Sequence, residues 1–195
     1  MDKPYIKLDE SFPGIVSLFI FDKETGKNLS AMGQTIMRRP RGLSVGEREL
    51  IAAFVSKLNR CNFCHESHAA CAAQYLDSAF VSEVCQYHTS DGISDKLRTL
   101  MHVAMDVTRL DRDLLEISML EAKAAGATDE EIHDTVLVTA FFNMCNRYVD
   151  GLGTTFLPGQ PEEGGKSLAK YGYTMTIRRF FKEILPKMWK KFWNK

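Results

Sequence analysis

Two capping signatures, each opening an apolar run at helical spacing, constrain this chain to a helical fold. Ser44 and Glu47 match a capping box, and Leu50, Ile51, Phe54, Val55 and Leu58 then recur at the helical period. Thr128 and Glu131 repeat the signature just after Gly126, a residue suited to a helix C-cap, and open a helix to about Asp150. No segment alternates apolar and polar residues between turn signals as strands do. The expected fold is all-α.

The remaining periodic stretches predict helices around 12–21, 29–38, 78–87, 96–108 and 111–125, with Asp22 to Gly26 as a break. The second stops before Pro40, because proline disfavours the α region for its predecessor. Asn59, Arg60, Cys61 and Asn62 read as a turn and cap that start another helix, running to about Tyr75. On the 44–58 helix, Glu49, Ala52, Ala53 and Ser56 share the face away from the apolar stripe. Small residues beside a carboxylate admit a close neighbour, and the helix carrying Cys61 and Cys64 is the expected one.

At 195 residues with 45% hydrophobic content, the chain can bury one sizeable core. Formal net charge is zero, so bulk electrostatics gives no case for a nucleic-acid partner. The zero is a cancellation: residues 166–195 hold nine Lys or Arg and one acid, Glu183, and the preceding 165 residues are correspondingly acidic. The reading is of a helical domain over 1–165 and a basic amphipathic C-terminal helix over 166–195. No apolar run reaches the length of a membrane span. Five cysteines without a leader-like N-terminus give the expectation of a reducing cytoplasm rather than a disulfide scaffold.

The chemistry concentrates in the frame Glu49-x11-Cys61-x2-Cys64-x3-His68. Two thiols three residues apart can close a disulfide with each other. A helix start favours anions, so the position is expected to raise the thiolate fraction of Cys61 and Cys64. Cys64 and His68 are four apart and share a helix face; Cys61 and His65 form a second such pair. His68 can take the Cys64 proton, with Glu49 orienting the imidazole. His65 is read as a flanking group behind these four.

Here the chain resembles the AhpD-like alkylhydroperoxidases of the carboxymuconolactone decarboxylase superfamily, whose redox members carry the same frame. Phe12-Pro13-Gly14, Glu24-Thr25-Gly26 and Gly46-Glu47-Arg48-Glu49-Leu50-Ile51-Ala52-Ala53 resemble the peroxidase-related subgroup. So do Gly126-Ala127-Thr128-Asp129-Glu130-Glu131-Ile132, Phe142-Asn143-Met144-Cys145-Asn146-Arg147 and Asp150-Gly151-Leu152-Gly153. The resemblance spans roughly residues 12–155 and leaves the basic tail outside. It implies an all-helical, homo-oligomeric subunit that reduces small or organic hydroperoxides with a thiol or lipoyl-type electron donor. Cys64 would attack the peroxide, Cys61 would resolve the sulfenic acid to a disulfide, and His68 with Glu49 would relay protons. The chain departs from the best-known branch at Phe63, where that branch has a second histidine. Decarboxylation, which names the superfamily, does not depend on this cysteine pair and is not expected.

Other readings stand beside this one. A disulfide reductase for a protein or lipoyl partner uses the same dithiol, and a non-catalytic thiol sensor would only report redox state. Cys61-Asn62-Phe63-Cys64-His65 also satisfies a haem-attachment pattern, which needs an export context the N-terminus does not suggest. A metal site on Cys61, Cys64, His65 and His68 is disfavoured, because one helix does not easily wrap four tetrahedral ligands. No cofactor and no metal are expected. Cys71, Cys85 and Cys145 read as core, and His88, His102 and His133 as surface or satisfied histidines. Arg38, Arg39 and Arg41 read as a solvated loop, with attraction of anionic substrates to the site as the alternative, and Asn143, Asn146, Arg147 and Asp150 as a polar network between helices or subunits. In the tail, the stripe Ile177, Phe180, Phe181, Ile184, Leu185, Met188, Trp189, Phe192 and Trp193 fits packing on the acidic body, or contact with an anionic membrane surface.

Overall fold

The computed structural model describes residues 3–87 and 92–174. Among these, nine helices and no strand form: α1 (Ile15–Phe21), α2 (Lys23–Met37), α3 (Val45–Leu58), α4 (Asn62–Ala72), α5 (Ser78–Tyr87), α6 (Asp95–Arg109), α7 (Arg112–Ala124), α8 (Asp129–Gly151) and α9 (Gln160–Tyr171). The all-α expectation holds. Both capping boxes form, with Ser44 accepting from the Glu47 amide and Thr128 from the Glu131 amide. Among the described residues no helix is long and apolar enough to cross a membrane. His88 and the amphipathic stripe of the tail lie outside the described residues.

The expected break at 22–26 shrinks to one residue. Asp22 caps α2 directly, its carboxylate accepting from the Thr25 amide at 3.0 Å and the Thr25 hydroxyl at 2.7 Å. Gly26 therefore lies inside a helix rather than between two.

The centre of the fold is α3. Every residue from Arg48 to Ser56 is buried, Leu50, Ile51, Phe54 and Val55 on one side and Glu49, Ala52, Ala53 and Ser56 on the other. A helix covered all round needs neighbours on every side, and α2, α4, α5, α6 and α8 supply them. Its C-terminus turns sharply. Arg60 takes a left-handed backbone at φ 61°, and the Cys61 amide reaches back to the Ser56 carbonyl at 2.9 Å. This turn folds α4 back along the small-residue face of α3. Asn59 locks the turn to α8 by donating to Asn143 Oδ1 and Asn146 Oδ1, each at 2.9 Å. Asn146 in turn donates to Ser56 Oγ at 3.0 Å, and Arg147 Nη1 to Asn59 Oδ1 at 3.2 Å. The expected polar network is thus an inter-helix tie.

The arginine segment is not a solvated loop. Arg48 and Asp134, both buried, pair at 2.5 Å, and Arg48 also donates to the carbonyls of Arg39 and Arg41. Arg39 joins Asp134 at 3.0 Å, and Arg41 meets Glu130 at the surface at 3.1 Å. These contacts bind the 38–43 connection to α8 and leave Arg38 turned toward α3.

The stretch 160–171 forms α9 and runs unbroken across position 165. It lies so close to α4 that a Cβ on Gly165 would stand 2.2 Å from the Ser67 carbonyl oxygen and 2.8 Å from Ala70 Cβ. Tyr75 adds a hydroxyl bond to the Ala169 carbonyl at 2.9 Å. Helix α9 therefore belongs to the folded body and delivers Gly172 to α2 and Tyr173 to the middle of α4.

Candidate redox site

The turn at 59–61 sets the register of α4 against α3, and that register assembles the site. Cys61 is the N-cap of α4, Cys64 lies in its first turn and His68 one turn further. Across the interface, His68 Nδ1 meets Glu49 Oε2 at 2.6 Å, with Glu49 wholly buried and His68 nearly so. The sequence frame is thus brought together at its imidazole–carboxylate end. Because an ionised carboxylate only accepts, Nδ1 carries the proton and Nε2 is left as the basic nitrogen.

Glu49 has further partners. Its Oε1 accepts from Arg38 Nη1 at 2.6 Å and from the Tyr173 hydroxyl at 3.0 Å. Burial works against the Glu49 charge, but His68 and then Arg38 outweigh it, so the carboxyl is held below its ordinary range. Burial likewise opposes the Arg38 charge, and the Glu49 carboxylate reverses the effect and raises its pKa. Arg38 is pinned elsewhere too, to the Met37 carbonyl at 3.0 Å, the Leu168 carbonyl at 3.1 Å and Cys71 Sγ at 3.7 Å. The His68 ring lies between two aromatics: Phe142 meets it edge-on at 4.4 Å, and Tyr173 stacks at 6.2 Å with planes 12° apart. Arg38 and Tyr173 are the site residues that sequence reasoning missed. Arg38 sits among three surface-like arginines, and Tyr173 is 105 residues from His68 with no local pattern to mark it.

At the thiol end, Cys61 and Cys64 are both free and buried, near enough for contact between them to perturb Cys61. That contact, followed by burial, holds Cys61 well above the ordinary thiol range. The expected gain in thiolate from the helix start therefore fails for Cys61, because a cap residue facing another thiol in a dry pocket gains no solvation for its charge. The Asp150 carboxyl at the end of α8 lies near enough to act on the Cys61 thiol, and burial raises its pKa. The pair sits in an apolar pocket with Phe63 and Val149, edged by Ile15 and Phe156. Phe63 packs on Phe156 with centroids 5.5 Å apart, and its ring fills the space a Cβ on Gly14 would occupy, 2.2 Å from Cε1.

His65 does not join this group. Its Nδ1 meets the Ala53 carbonyl at 3.0 Å, and its ring lines a separate cleft with Lys57, Ser78, Ser82 and Gln86. Burial lowers its pKa, so the neutral ring donates to Ala53 and the i, i+4 pairing with Cys61 gives way to that bond. Cys71, Cys85 and Cys145 are core side chains, and burial pushes the last two up to about 12. His133 lies against Asp134 at 3.4 Å, and His102 near Glu121 at 4.0 Å, each on a surface of its own. Among the described residues, no three His, Cys, Asp or Glu side chains converge as a metal-holding group.

The carboxymuconolactone decarboxylase family model matches residues 23–76, the stretch from α2 through α4 that holds Arg38, Glu49 and the whole dithiol frame. An uncharacterized peroxidase-related protein from Silicibacter sp. TM1040 is 27% identical, with 73% of this chain and 75% of that one covered at a TM-score of 0.67. The chain carries the carboxymuconolactone decarboxylase segment on an AhpD-like fold. The AhpD-core, peroxidase-related protein from Ralstonia eutropha JMP134 shares that fold at a TM-score of 0.70, with 23% identity over 79% of this chain and 81% of that one. An Agrobacterium tumefaciens protein whose description names AhpD shares it at 0.63, with 19% identity over 74% of this chain and 99% of that one. No curated protein matches the sequence. The AhpD-like resemblance read from the motifs holds, and the family segment coincides with the helices that build the site.

Proposed function

We propose that the chain is a thiol-dependent peroxidase that reduces small or organic hydroperoxides through a Cys61/Cys64 dithiol–disulfide cycle. The observation that carries this reading is the 2.6 Å contact between buried Glu49 and His68, on the same helix as the free Cys61/Cys64 pair. That contact supplies a buried, oriented base one turn along α4 from Cys64, an arrangement that structural cysteines do not need.

In the first step His68 takes the Cys64 proton and the thiolate attacks the terminal peroxide oxygen. A sulfur–oxygen bond forms, the oxygen–oxygen bond breaks, and the alkoxide leaves as alcohol with the proton from His68. Sulfur is oxidised by two electrons and the peroxide is reduced by two. In the second step the Cys61 sulfur attacks the sulfenic acid. The sulfur–oxygen bond breaks and the hydroxide departs as water with the Cys61 proton. Cys61 stays protonated until this step, and the nearby Asp150 carboxylate can take its proton as the sulfur attacks and pass it to the departing hydroxide. An external thiol or lipoyl-type dithiol then reduces the disulfide by exchange, which places the work in a reducing compartment such as the cytoplasm. The apolar wall of Phe63, Phe156, Ile15 and Val149 suits the carbon portion of an organic hydroperoxide and keeps bulk water from the sulfenic acid.

The test is steady-state turnover of cumene hydroperoxide against hydrogen peroxide with dithiothreitol as donor. The proposal requires catalytic turnover that Cys64→Ser abolishes. Turnover equal in wild type and Cys64→Ser would remove it.

A further inference from the structure

We infer that Arg38 and Tyr173 are positioning residues of the dithiol site, gripping one oxygen of Glu49 so that the other is presented to His68 alone. As a statement about catalysis this rests on the peroxidase reading; as a statement about the state of the imidazole it does not.

The division of labour on Glu49 is the argument. Oε1 receives two donors, Arg38 Nη1 at 2.6 Å and the Tyr173 hydroxyl at 3.0 Å, while Oε2 faces His68 Nδ1 at 2.6 Å. A carboxylate held by one partner can rotate and exchange its oxygens; one held on Oε1 by two donors from different elements cannot. Arg38 comes from the end of α2 and Tyr173 from the chain after α9, so the grip is built by tertiary structure rather than by the α3–α4 pair. Each element is itself fixed. The Arg38 guanidinium is bound to two carbonyls and to Cys71 Sγ, and lies over the Tyr173 ring at 5.0 Å. The Tyr173 amide is bound to Gln34 Oε1 at 2.8 Å. The phenol serves as a donor because burial and the Glu49 charge keep it protonated. Its ring, with Phe142, also fixes the plane of the imidazole.

The grip has an electrostatic consequence. With Arg38 in place, a permanent cation shares the buried Glu49 charge with His68, so less of that charge is left to hold a second proton on the imidazole. Without Arg38, the only countercharge left within contact is an imidazolium, and a His68 already carrying two protons cannot accept one from Cys64. The other titratable groups that act on this cluster are Cys71 and, more distantly, His65 from α4, Tyr75 just beyond it and Tyr173, while α8 contributes the uncharged Phe142. None of them replaces the arginine as a cation held against Glu49. Loss of Arg38 should therefore shift the acid limb of activity to higher pH, and loss of the Tyr173 hydroxyl should do the same more weakly.

The experiment compares wild type with Arg38→Met, Arg38→Lys, Tyr173→Phe and Glu49→Gln in the full chain. It reads the pH profile of cumene hydroperoxide turnover and the ring 15N resonances of His68, assigned with His68→Asn. The inference predicts that Arg38→Met loses about tenfold in kcat at neutral pH, with KM little changed, and recovers toward wild type in alkali. Tyr173→Phe should lose less, Arg38→Lys should restore part of the activity, and the His68 resonances of Arg38→Met and Tyr173→Phe should depart from the single Nδ1-protonated tautomer. Folded Arg38→Met and Tyr173→Phe with wild-type profiles and wild-type His68 resonances, while Glu49→Gln changes both, would overturn the inference and leave the relay standing. Should Arg38→Met fail to fold, Tyr173→Phe decides, since it keeps the ring and removes one hydroxyl. If wild type turns over no hydroperoxide, the peroxidase reading falls, and the His68 resonances alone decide the inference: tautomer loss in the variants supports it, unchanged spectra overturn it.

Discussion

Glu49 Oε2 and His68 Nδ1 stand 2.6 Å apart, although nineteen residues separate them in the chain. The contact exists because Arg60 turns the backbone through a left-handed conformation and folds α4 onto the small-residue face of α3. Both partners are removed from water, so the pair is strong only while each stays matched to the other.

This contact ties stability to pH. Glu49 is held below its ordinary range in the folded chain, so its contribution is complete above the unfolded carboxyl range near about 4.3 and is lost as pH falls through the lower folded value. Glu49→Gln should cost about 3–5 kcal/mol at neutral pH, leaving Arg38 unanswered. Urea unfolding should show the gap between wild type and Glu49→Gln narrowing from about pH 5 downward. A gap that is constant between neutral pH and pH 4 would contradict this account.

Gly14 is where the Phe63 ring is accommodated. Its φ is 52°, and a Cβ there would lie 2.2 Å from Phe63 Cε1. Gly14→Ala should destabilise the chain by about 1–3 kcal/mol, combining backbone strain with overpacking. Because the clash is with one ring, adding Phe63→Leu should recover part of the loss in Tm. A Gly14→Ala/Phe63→Leu pair whose losses simply add would show that the ring is not the obstacle.

Gly165 governs whether α9 can sit on α4. Gly165→Val would drive a side chain into the Ser67 carbonyl and Ala70, forcing the helices apart. The expected result is a loss of about 2 kcal/mol or more. Amide protection at Gly172 and Tyr173 should fall further than protection in α3. Equal falls in both regions would mean that α9 does not move independently.

Asp134 anchors the connection that carries Arg38. It answers Arg48, Arg39 and the Leu43 amide, the last at 3.3 Å. Asp134→Ala should cost about 3–5 kcal/mol by stranding the buried Arg48 charge. In chemical unfolding this should appear as a lower midpoint with an unchanged slope. A shift of the midpoint equivalent to less than about 1 kcal/mol would place the loop's stability elsewhere.

Much of this is legible in the sequence. The two capping boxes and the apolar runs behind them identified α3 and α8, because caps and periodicity act over one or two turns. The Glu49, Cys61, Cys64 and His68 frame is equally local, spread over two helices joined by a single turn. Asp22 shows the limit: Thr25 and Gly26 resemble a break until the capping carboxylate is seen to start α2 at Lys23. Arg38 and Tyr173 were illegible for a different reason. Their roles depend on where the ends of α2 and α9 arrive, which is set by the Arg48–Asp134 pair and the close approach at Gly165. The inversion at Cys61 likewise required its partners, since a helix-start position says nothing of a facing thiol or of Asp150.

The most direct test of the central claim is thiol titration of wild type, Cys61→Ser and Cys64→Ser before and after one equivalent of cumene hydroperoxide. The account predicts that wild type loses two thiols to a Cys61–Cys64 disulfide. Cys61→Ser should instead yield a sulfenic acid trapped at Cys64, and Cys64→Ser should yield none at Cys61. No thiol loss in wild type, or a sulfenic acid formed on Cys61 when Cys64 is absent, would contradict it.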